Sequence, residues 1–419
     1  MEEKIQYQNM KKIIIIGAGT AGTMMANKLR KSLSKNEWEI TIFDKNKTHY
    51  YQPGFLFIPF GTYAQGDVVK QKNVFIPDGV NLIFADVDRI DAAQNKVLLT
   101  DGKIFVYDFL VIATGCQTCP EETPGLKEEN WYKNIFDFYT IEGALALHEF
   151  FKNWQGGRLV MTITELPFKC PVAPLEFVFL ADAYFTKRGI RDKVEIIFTT
   201  PMSGAFTKPK ATAMLGKLLS EKNIKLIPDF YVESVDSINN IIHSYDGKEV
   251  AYDCLTIVPV NMGDDMIARS GLGDDLNFVP TDKNTLRSVA FENVFVLGDA
   301  SNIPASKAGS VAHFASEALI GNMLEVITGS PMTHSFDGHA NCYIETGFGK
   351  ASLIDFNYVT EPLPGKYPVP LIGPFNLLGN SCINHLGKLA FKTMYWEFLL
   401  KDRKLPVSNN MSMAGKNRN

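Results

Sequence analysis

Cys170 sits in the run Phe168-Lys169-Cys170-Pro171-Val172-Ala173-Pro174, after a strand-like stretch (residues 158–164) and before a helix expected to start near Leu175. That is the carboxyl end of a sheet, the edge where doubly wound folds place their chemistry. A helix amino end nearby lowers a thiol pKa, and Lys169 facing the sulfur would do the same. Glu165 and Glu176 flank it as candidate bases, although acids on helix surfaces are commonplace. Cys342 lies far away, in His339-Ala340-Asn341-Cys342-Tyr343-Ile344-Glu345. Spacing does not bring the two cysteines together, and a cysteine is as readily an inert buried thiol. The residues alone leave both readings open.

Cys116 and Cys119 have the spacing of a CxxC redox motif. A thioredoxin-type role wants the first cysteine at a helix amino end. Cys119-Pro120-Glu121-Glu122-Thr123-Pro124 reads instead as an irregular connector, because proline disfavours helix at the residue before it. Two further ligands at short spacing are missing, so no metal is expected. Cys254, in a strand-like run, and Cys382, in the apolar tail, read as structural. Six cysteines in 419 residues do not make a disulfide scaffold.

The elements that must position these groups begin with Ile13-Ile14-Ile15-Ile16, a strand suited to burial on both faces. Gly17-Ala18-Gly19-Thr20-Ala21-Gly22 follows. Gly17 permits the tight turn, Gly19 the approach of a pyrophosphate, and Gly22 the packing of the next helix on the strand. A helix is expected over residues 21–33, then a strand over 39–43 ending in Asp44, an acid suited to a ribose hydroxyl pair. A lone GxGxxG is weak; strand, helix and acid in order make a dinucleotide site. Where a second such site would stand, residues 158–170 have the strand, no glycines, and a terminal cysteine. A thiol in place of a nicotinamide site points to electrons taken from a sulfur substrate.

Tyr107-Asp108-Phe109-Leu110-Val111-Ile112-Ala113-Thr114-Gly115 is a strand running into a small-residue turn, and Asn293-Val294-Phe295-Val296-Leu297-Gly298-Asp299-Ala300 another with a terminal acid. By itself Asp299 also suits a helix cap. Together these resemble the ATG and GD signatures of the two-dinucleotide-domain, glutathione-reductase-like flavoproteins. The resemblance implies an α/β fold of two Rossmann-like domains, with FAD held by Gly17, Gly19, Gly22, Asp44, Thr114, Gly115, Asp299 and Lys307.

A closer resemblance follows. The Lys169-Cys170-Pro171 segment, the Ser306-Lys307 pair, Cys342 before Tyr343-Ile344-Glu345, and the ending Phe391-Lys392-Thr393-Met394-Tyr395-Trp396-Glu397-Phe398-Leu399-Leu400 are similar to sulfide:quinone oxidoreductases. This implies that Cys170 and Cys342 are a redox pair beside the flavin, with Lys307 as a further catalytic group. Hydrosulfide attack on a disulfide or trisulfide leaves a persulfide and frees a thiolate. The resemblance further implies that two electrons would pass through FAD to a membrane quinone and that the sulfur would leave as sulfane sulfur or polysulfide to an acceptor. Lys307 and its helix amino end would offset negative charge near the flavin; a solvated helix-start lysine is the plain alternative. Some members carry a third cysteine where this chain reads Asn134-Ile135-Phe136-Asp137-Phe138-Tyr139. The chain is therefore placed in the two-cysteine branch, with no thioether to FAD expected there.

Residues 11–118 and 276–331 are expected to form the FAD-binding domain, residues 119–275 a second Rossmann-like domain, and residues 332–419 a C-terminal amphipathic membrane-binding region carrying Cys342. A β-rich excursion is expected near residues 80–100, and disorder from Ser408 onward. The net charge of −4 suggests no nucleic acid, and no charged-then-apolar leader precedes a cleavage site, so no signal peptide is expected. Residues 367–387 hold no Asp, Glu, Lys or Arg, but prolines and glycines exclude a spanning helix. The helix after them is mostly apolar. Lys388 and Lys392 fall on its polar side, Lys401, Arg403 and Lys404 close it, and Tyr395 and Trp396 suit a membrane interface. Docking on the core or on a second subunit is the alternative. Phe348, Phe375, Phe391 and Tyr395 are candidate quinone contacts. The expected location is peripheral or monotopic on a membrane, and a homo-oligomer is left open. Two other functions compete: a nicotinamide-dependent quinone reductase of the same superfamily, and a non-enzymatic FAD-holding redox sensor.

Overall fold

Four consecutive isoleucines are all buried only in a strand covered on both faces, and Ile13, Ile14, Ile15 and Ile16 lie that way. The computed structural model describes residues 10–368, 373–403 and 410–417. In it the Lys11–Ile16 strand is the middle of a five-stranded parallel sheet. Trp38–Asp44 and then Asn81–Phe84 lie on one side; Phe109–Ile112 and then Val294–Val296 lie on the other. Gly17 thus opens at a topological switch point, where such sheets bind ligands.

The helices in chain order are α1 (Thr20–Ser32), α2 (Ile141–Asn153), α3 (Ala173–Lys187), α4 (Pro209–Glu221), the short α5 (Asp265–Arg269), α6 (Gly309–Ile327) and α7 (Cys382–Met394). A second parallel sheet runs in the order Ile135–Phe136, Cys254–Val258, Gly157–Ile163, Val194–Thr199, Ile224–Ile227. The α/β class with two Rossmann-like sheets is the one observed. An antiparallel ribbon of Cys116–Cys119 with Val260–Gly263 lies between them in the chain path. The expected β excursion is a meander of Val87–Asp91, Lys96–Leu99 and Ile104–Val106. Helix α3 starts at Ala173, two residues before the expected Leu175, because Pro174 is tolerated in a first turn.

A third sheet pairs Ala340–Gly347 with Lys350–Phe356, and Phe375–Leu377 and Gly365–Tyr367 extend it. Ala340–Gly347 packs on α3 and α6, and α7 lies across this sheet. The expected disorder from Ser408 is corrected for residues 410–417. The Lys366 N–H donates to the Gly415 carbonyl at 2.8 Å, and the Asn417 N–H to the Pro364 carbonyl at 2.8 Å. Lys416 is buried in an ion pair with Asp355, which also holds His339 Nε2 at 2.7 Å. Local composition does not register such long-range pairing. Lys404 and residues 369–372 of the uncharged stretch lie outside the described residues. No helix among the described residues is long and apolar enough to cross a membrane.

Candidate functional site

The first glycine motif builds a cradle. Gly17 has φ +97°, and a Cβ there would strike the Ala113 carbonyl; one on Gly22 would strike the carbonyl of Gly17, while Gly19 faces open space. Helix α1 starts with no side-chain cap and no acid in its first turn. Its amino end therefore suits an anion. Asp44 accepts the Ala18 and Asn46 amides, each at 2.8 Å, and pairs with buried Lys72. Gly17, Gly19, Asp44, Lys72, Thr114 and His49 line a cleft of about 240 Å³. The Thr114 hydroxyl is buried without a partner, a polar atom that asks for a ligand. The donor set fits the pyrophosphate and ribose of the flavin dinucleotide implied above.

Lys307 precedes α6 and is not the solvated lysine considered above. Its Nζ donates to the carbonyls of Asp299 at 2.8 Å and Ser301 at 2.9 Å, and lies 3.6 Å from the Phe278 ring centroid. Burial lowers its pKa, against the raising effect of Asp299. Burial raises the pKa of the Asp299 carboxyl, with Lys307 and Lys169 opposing.

Cys170 closes the loop between the Gly157–Ile163 strand and α3 with φ +53°, a left-handed conformation unusual for a residue with a side chain. Such backbone persists where its surroundings over-determine it. The Cys170 N–H donates to the Lys307 carbonyl at 2.7 Å; its own carbonyl accepts from the Ala173 N–H at 2.9 Å and the Tyr139 hydroxyl at 3.3 Å. Cys342 stands on Ala340–Gly347 opposite Ile354, beside Ser310. The structure brings the two thiols into one neighbourhood, since the charge of Cys342 acts on Cys170. Burial pushes Cys170 up to about 12 and Cys342 up to about 11; Glu176 raises both and Lys388 opposes. This corrects the expectation of a depressed thiol pKa. Burial outweighs the helix amino end, and Lys169 acts on Cys116 and Asp299 instead.

Glu176, in the first turn of α3, is fully buried. Its Oε1 accepts the Glu345 N–H and pairs with Lys388 Nζ, each at 2.8 Å, while Oε2 has no hydrogen-bond partner. Lys388 also reaches the Tyr343 carbonyl at 3.3 Å. It was expected on the polar side of α7, yet points inward, because α7 turns that side towards the third sheet. Glu345 is buried, with His385 Nδ1 at 2.9 and 3.0 Å from its two oxygens. Burial, then Glu176, push the Glu345 carboxyl up to about 7. Tyr51 is close enough to feel Glu176, Cys170 and Tyr395. Glu165 is set apart from the thiols, its charged neighbour being Glu122.

Lys388, Glu345, His385, Tyr51 and Tyr139 were missed as site residues. The one legible signal was Glu345, a charge in an otherwise uncharged strand run. Tyr395 and Trp396, expected at a lipid interface, are buried. The Tyr395 hydroxyl bonds Thr20 Oγ1 at 2.7 Å and His49 Nε2 at 2.6 Å, and Trp396 stacks on Phe75. Phe391 lies 6.5 Å from the Tyr51 ring, and Phe375 meets Tyr343 edge-on at 5.6 Å. Phe348 is not gathered with them. It is exposed at the hairpin turn under Lys222, six positions along the strand from Cys342, or about 20 Å at the usual rise.

Cys116 Sγ lies 3.8 Å from Asp299 Oδ2 and 3.8 Å from Asn261 Oδ1, and burial pushes its thiol up to about 12. Cys119 is three residues along the same strand, on the opposite face and about 10 Å away. That exceeds disulfide reach, so the CxxC pair is open, and all six cysteines are free. On α7 and the turn after it, Ile383, Leu386, Met394 and Phe398 form an exposed apolar stripe.

Residues 11–148 match the family described as pyridine nucleotide-disulphide oxidoreductase. The mitochondrial sulfide:quinone oxidoreductase of Dictyostelium discoideum is 32% identical over 410 residues, covering 96% of this chain and 88% of that protein. That of Mus musculus is 26% identical, covering 94% and 87%. The crystal structure of the sulfide:quinone oxidoreductase of Aquifex aeolicus has the same fold, with a TM-score of 0.79 at 21% identity, over 96% of this chain and 92% of that one.

Proposed function

The chain belongs to the sulfide:quinone oxidoreductase family, and from that premise we propose that it oxidises sulfide at Cys170 and Cys342, with FAD as its cofactor, and passes two electrons to a membrane quinone. The observation that carries this reading is the glycine-free turn after the Gly157–Ile163 strand, which ends in a thiol that shares a buried carboxylate with a second thiol. In this reading residues 11–118 and 276–331 are the FAD-binding domain, residues 119–275 the second Rossmann-like domain, and residues 332–419 the quinone- and membrane-facing region.

Bound FAD supplies a two-electron acceptor for the thiol chemistry and a two-electron donor for the quinone. Gly17, Gly19, Gly22, Asp44, Thr114, Gly115 and Asp299 would hold it, and Lys307 would offset negative charge beside Asp299. Hydrosulfide attacks a Cys170–Cys342 disulfide, leaving a persulfide on one cysteine and freeing the other as thiolate. Joining of persulfide and thiolate into a trisulfide releases one proton and two electrons. A nucleophilic acceptor then takes the extra sulfur, and the disulfide returns. Glu176, with one oxygen free, is the base for these thiols, and Lys388 steadies the charge it carries. Phe375, Phe391 and Tyr395 remain the quinone contacts in this reading, and the exposed stripe of α7 rests on the lipid surface.

A nicotinamide-dependent reductase would need a glycine fingerprint near residues 162–169, and that segment has none. An anaerobic titration tests the proposal: sulfide bleaches the flavin absorbance and NADH does not. Bleaching by NADH alone would replace the reading with the nicotinamide one, and bleaching by neither with the redox sensor.

A further inference from the structure

We propose that Glu345 and His385 form the proton port of this site, carrying protons between solvent and the Glu176–Lys388 pair. The inference rests on the reading above. Turning hydrosulfide into sulfane sulfur gives up two electrons and one proton, whereas turning a quinone into a quinol takes up two electrons and two protons. One proton per turnover must therefore come from solvent. The side chains of Glu176 and Glu345 are 0% and 1% exposed, so that proton needs a path through the protein.

The contacts lay out one such path. His385 is 24% exposed, the outermost group of the chain that runs to Glu176. Its Nδ1 holds both Glu345 oxygens at 2.9 and 3.0 Å. The Glu345 backbone N–H donates to Glu176 Oε1, which holds Lys388 Nζ at 2.8 Å, and this bond seats the Glu345 carboxyl close enough to feel the charges of both Glu176 and Lys388. His385 and Lys388 are three apart on α7 and so share a face. The groups acting on Glu345 are Glu176 from α3 and His385 and Lys388 from α7. Tyr63, from the loop before residue 65, feels its charge in turn, with Lys392 4.2 Å over that ring. Because burial and Glu176 place the Glu345 carboxyl at about 7, it holds a proton below neutrality and gives it up above. A carboxyl poised there passes protons in both directions near neutral pH, and it titrates jointly with its neighbours.

The test uses the full-length, FAD-loaded protein in two anaerobic half-reactions, flavin bleaching by sulfide and reoxidation by a short-chain quinone, across the neutral range. His385→Ala still reaches full bleaching by sulfide, but its reoxidation slows by about tenfold or more, and added imidazole restores the rate. In the wild type, reoxidation falls as pH rises through about 7. Glu345→Gln removes that fall and Glu345→Asp keeps it. Flavin content and melting temperature establish that each variant is folded. Wild-type reoxidation in His385→Ala, or a loss that imidazole leaves untouched with an unaltered pH profile, overturns the port while the function stands. A wild type that sulfide does not bleach overturns the function and the port with it.

Discussion

The Cys170 N–H donates to the carbonyl of Lys307 at 2.7 Å, tying the thiol loop of the second sheet to the turn that carries Lys307 beside Asp299. A thiol held by its backbone keeps its place when its sulfur is removed. Cys170→Ser and Cys342→Ser should each abolish bleaching of the flavin by sulfide while keeping a full complement of FAD, because exchange needs both sulfurs. A fully active single variant at either position would overturn the thiol-pair mechanism.

The same burial makes the reduced protein sensitive to alkali. Folded Cys170 and Cys342 keep their protons up to about 12 and about 11, whereas an unfolded chain gives them up above about 8.5. The folded state then binds more protons than the unfolded one, so stability falls as pH rises from about 8.5 through that window. Melting temperatures of the reduced protein across it should fall less steeply for Cys170→Ser/Cys342→Ser. Equal slopes would mean the thiols are not buried as described.

Lys388→Met should destabilise the protein by about 3–5 kcal/mol at neutral pH, because it leaves Glu176 as an uncompensated buried charge. Glu176→Gln/Lys388→Met removes both charges and should recover much of that loss. A double variant as unstable as the lysine variant would show that Lys388 acts through packing rather than through its charge. Urea midpoints of the three proteins decide it.

The parallel sheet, the glycine cradle and the thiol loop were legible in the sequence because each is a local pattern: a buried run, a turn only glycine makes, a cysteine at a strand's end. The ion-paired centre was not. Lys388 reads as a solvated lysine until α7 is laid over the third sheet, and nothing local says that Glu176, some two hundred residues earlier, is its partner. Tyr395 and Trp396 misled for the same reason. Their amphipathic rings suit a lipid interface, but His49 and Thr20 bond the Tyr395 hydroxyl and Phe75 stacks on Trp396 inside the protein.

FAD should come away freely on acid precipitation. No cysteine stands in residues 134–139, and Cys116, the thiol beside Asp299, is held protonated by burial, which leaves it a poor nucleophile. Cys116→Ser and Cys119→Ser should retain most activity, and peptide mapping should find no crosslink between the two positions. Flavin remaining on a peptide that contains Cys116 would overturn this.

Membrane attachment should depend on the exposed stripe of α7. Deleting the chain from Leu386 is a poor test, because it also removes Lys388, Tyr395 and Trp396 from the interior. Substitution on the open face is cleaner: Ile383 and Leu386 are 48% and 62% exposed, Met394 and Phe398 37% and 39%. They follow the spacing of one helix face, so changing them leaves the buried face intact. Each large apolar side chain taken into lipid contributes about 1.5–3 kcal/mol, enough in sum for surface attachment without a spanning helix. Ile383→Glu/Leu386→Glu/Met394→Glu should therefore stay in the supernatant in liposome sedimentation while the wild type pellets. Its flavin should still bleach with sulfide, because the thiols lie beneath the opposite face of the helix. Its reoxidation by a long-chain quinone embedded in the liposomes should slow by at least about tenfold, and by a soluble short-chain quinone far less. If the triple variant still pellets with the liposomes, the stripe is not the membrane-binding surface. If it detaches yet uses the embedded quinone at the wild-type rate, quinone access does not depend on that attachment.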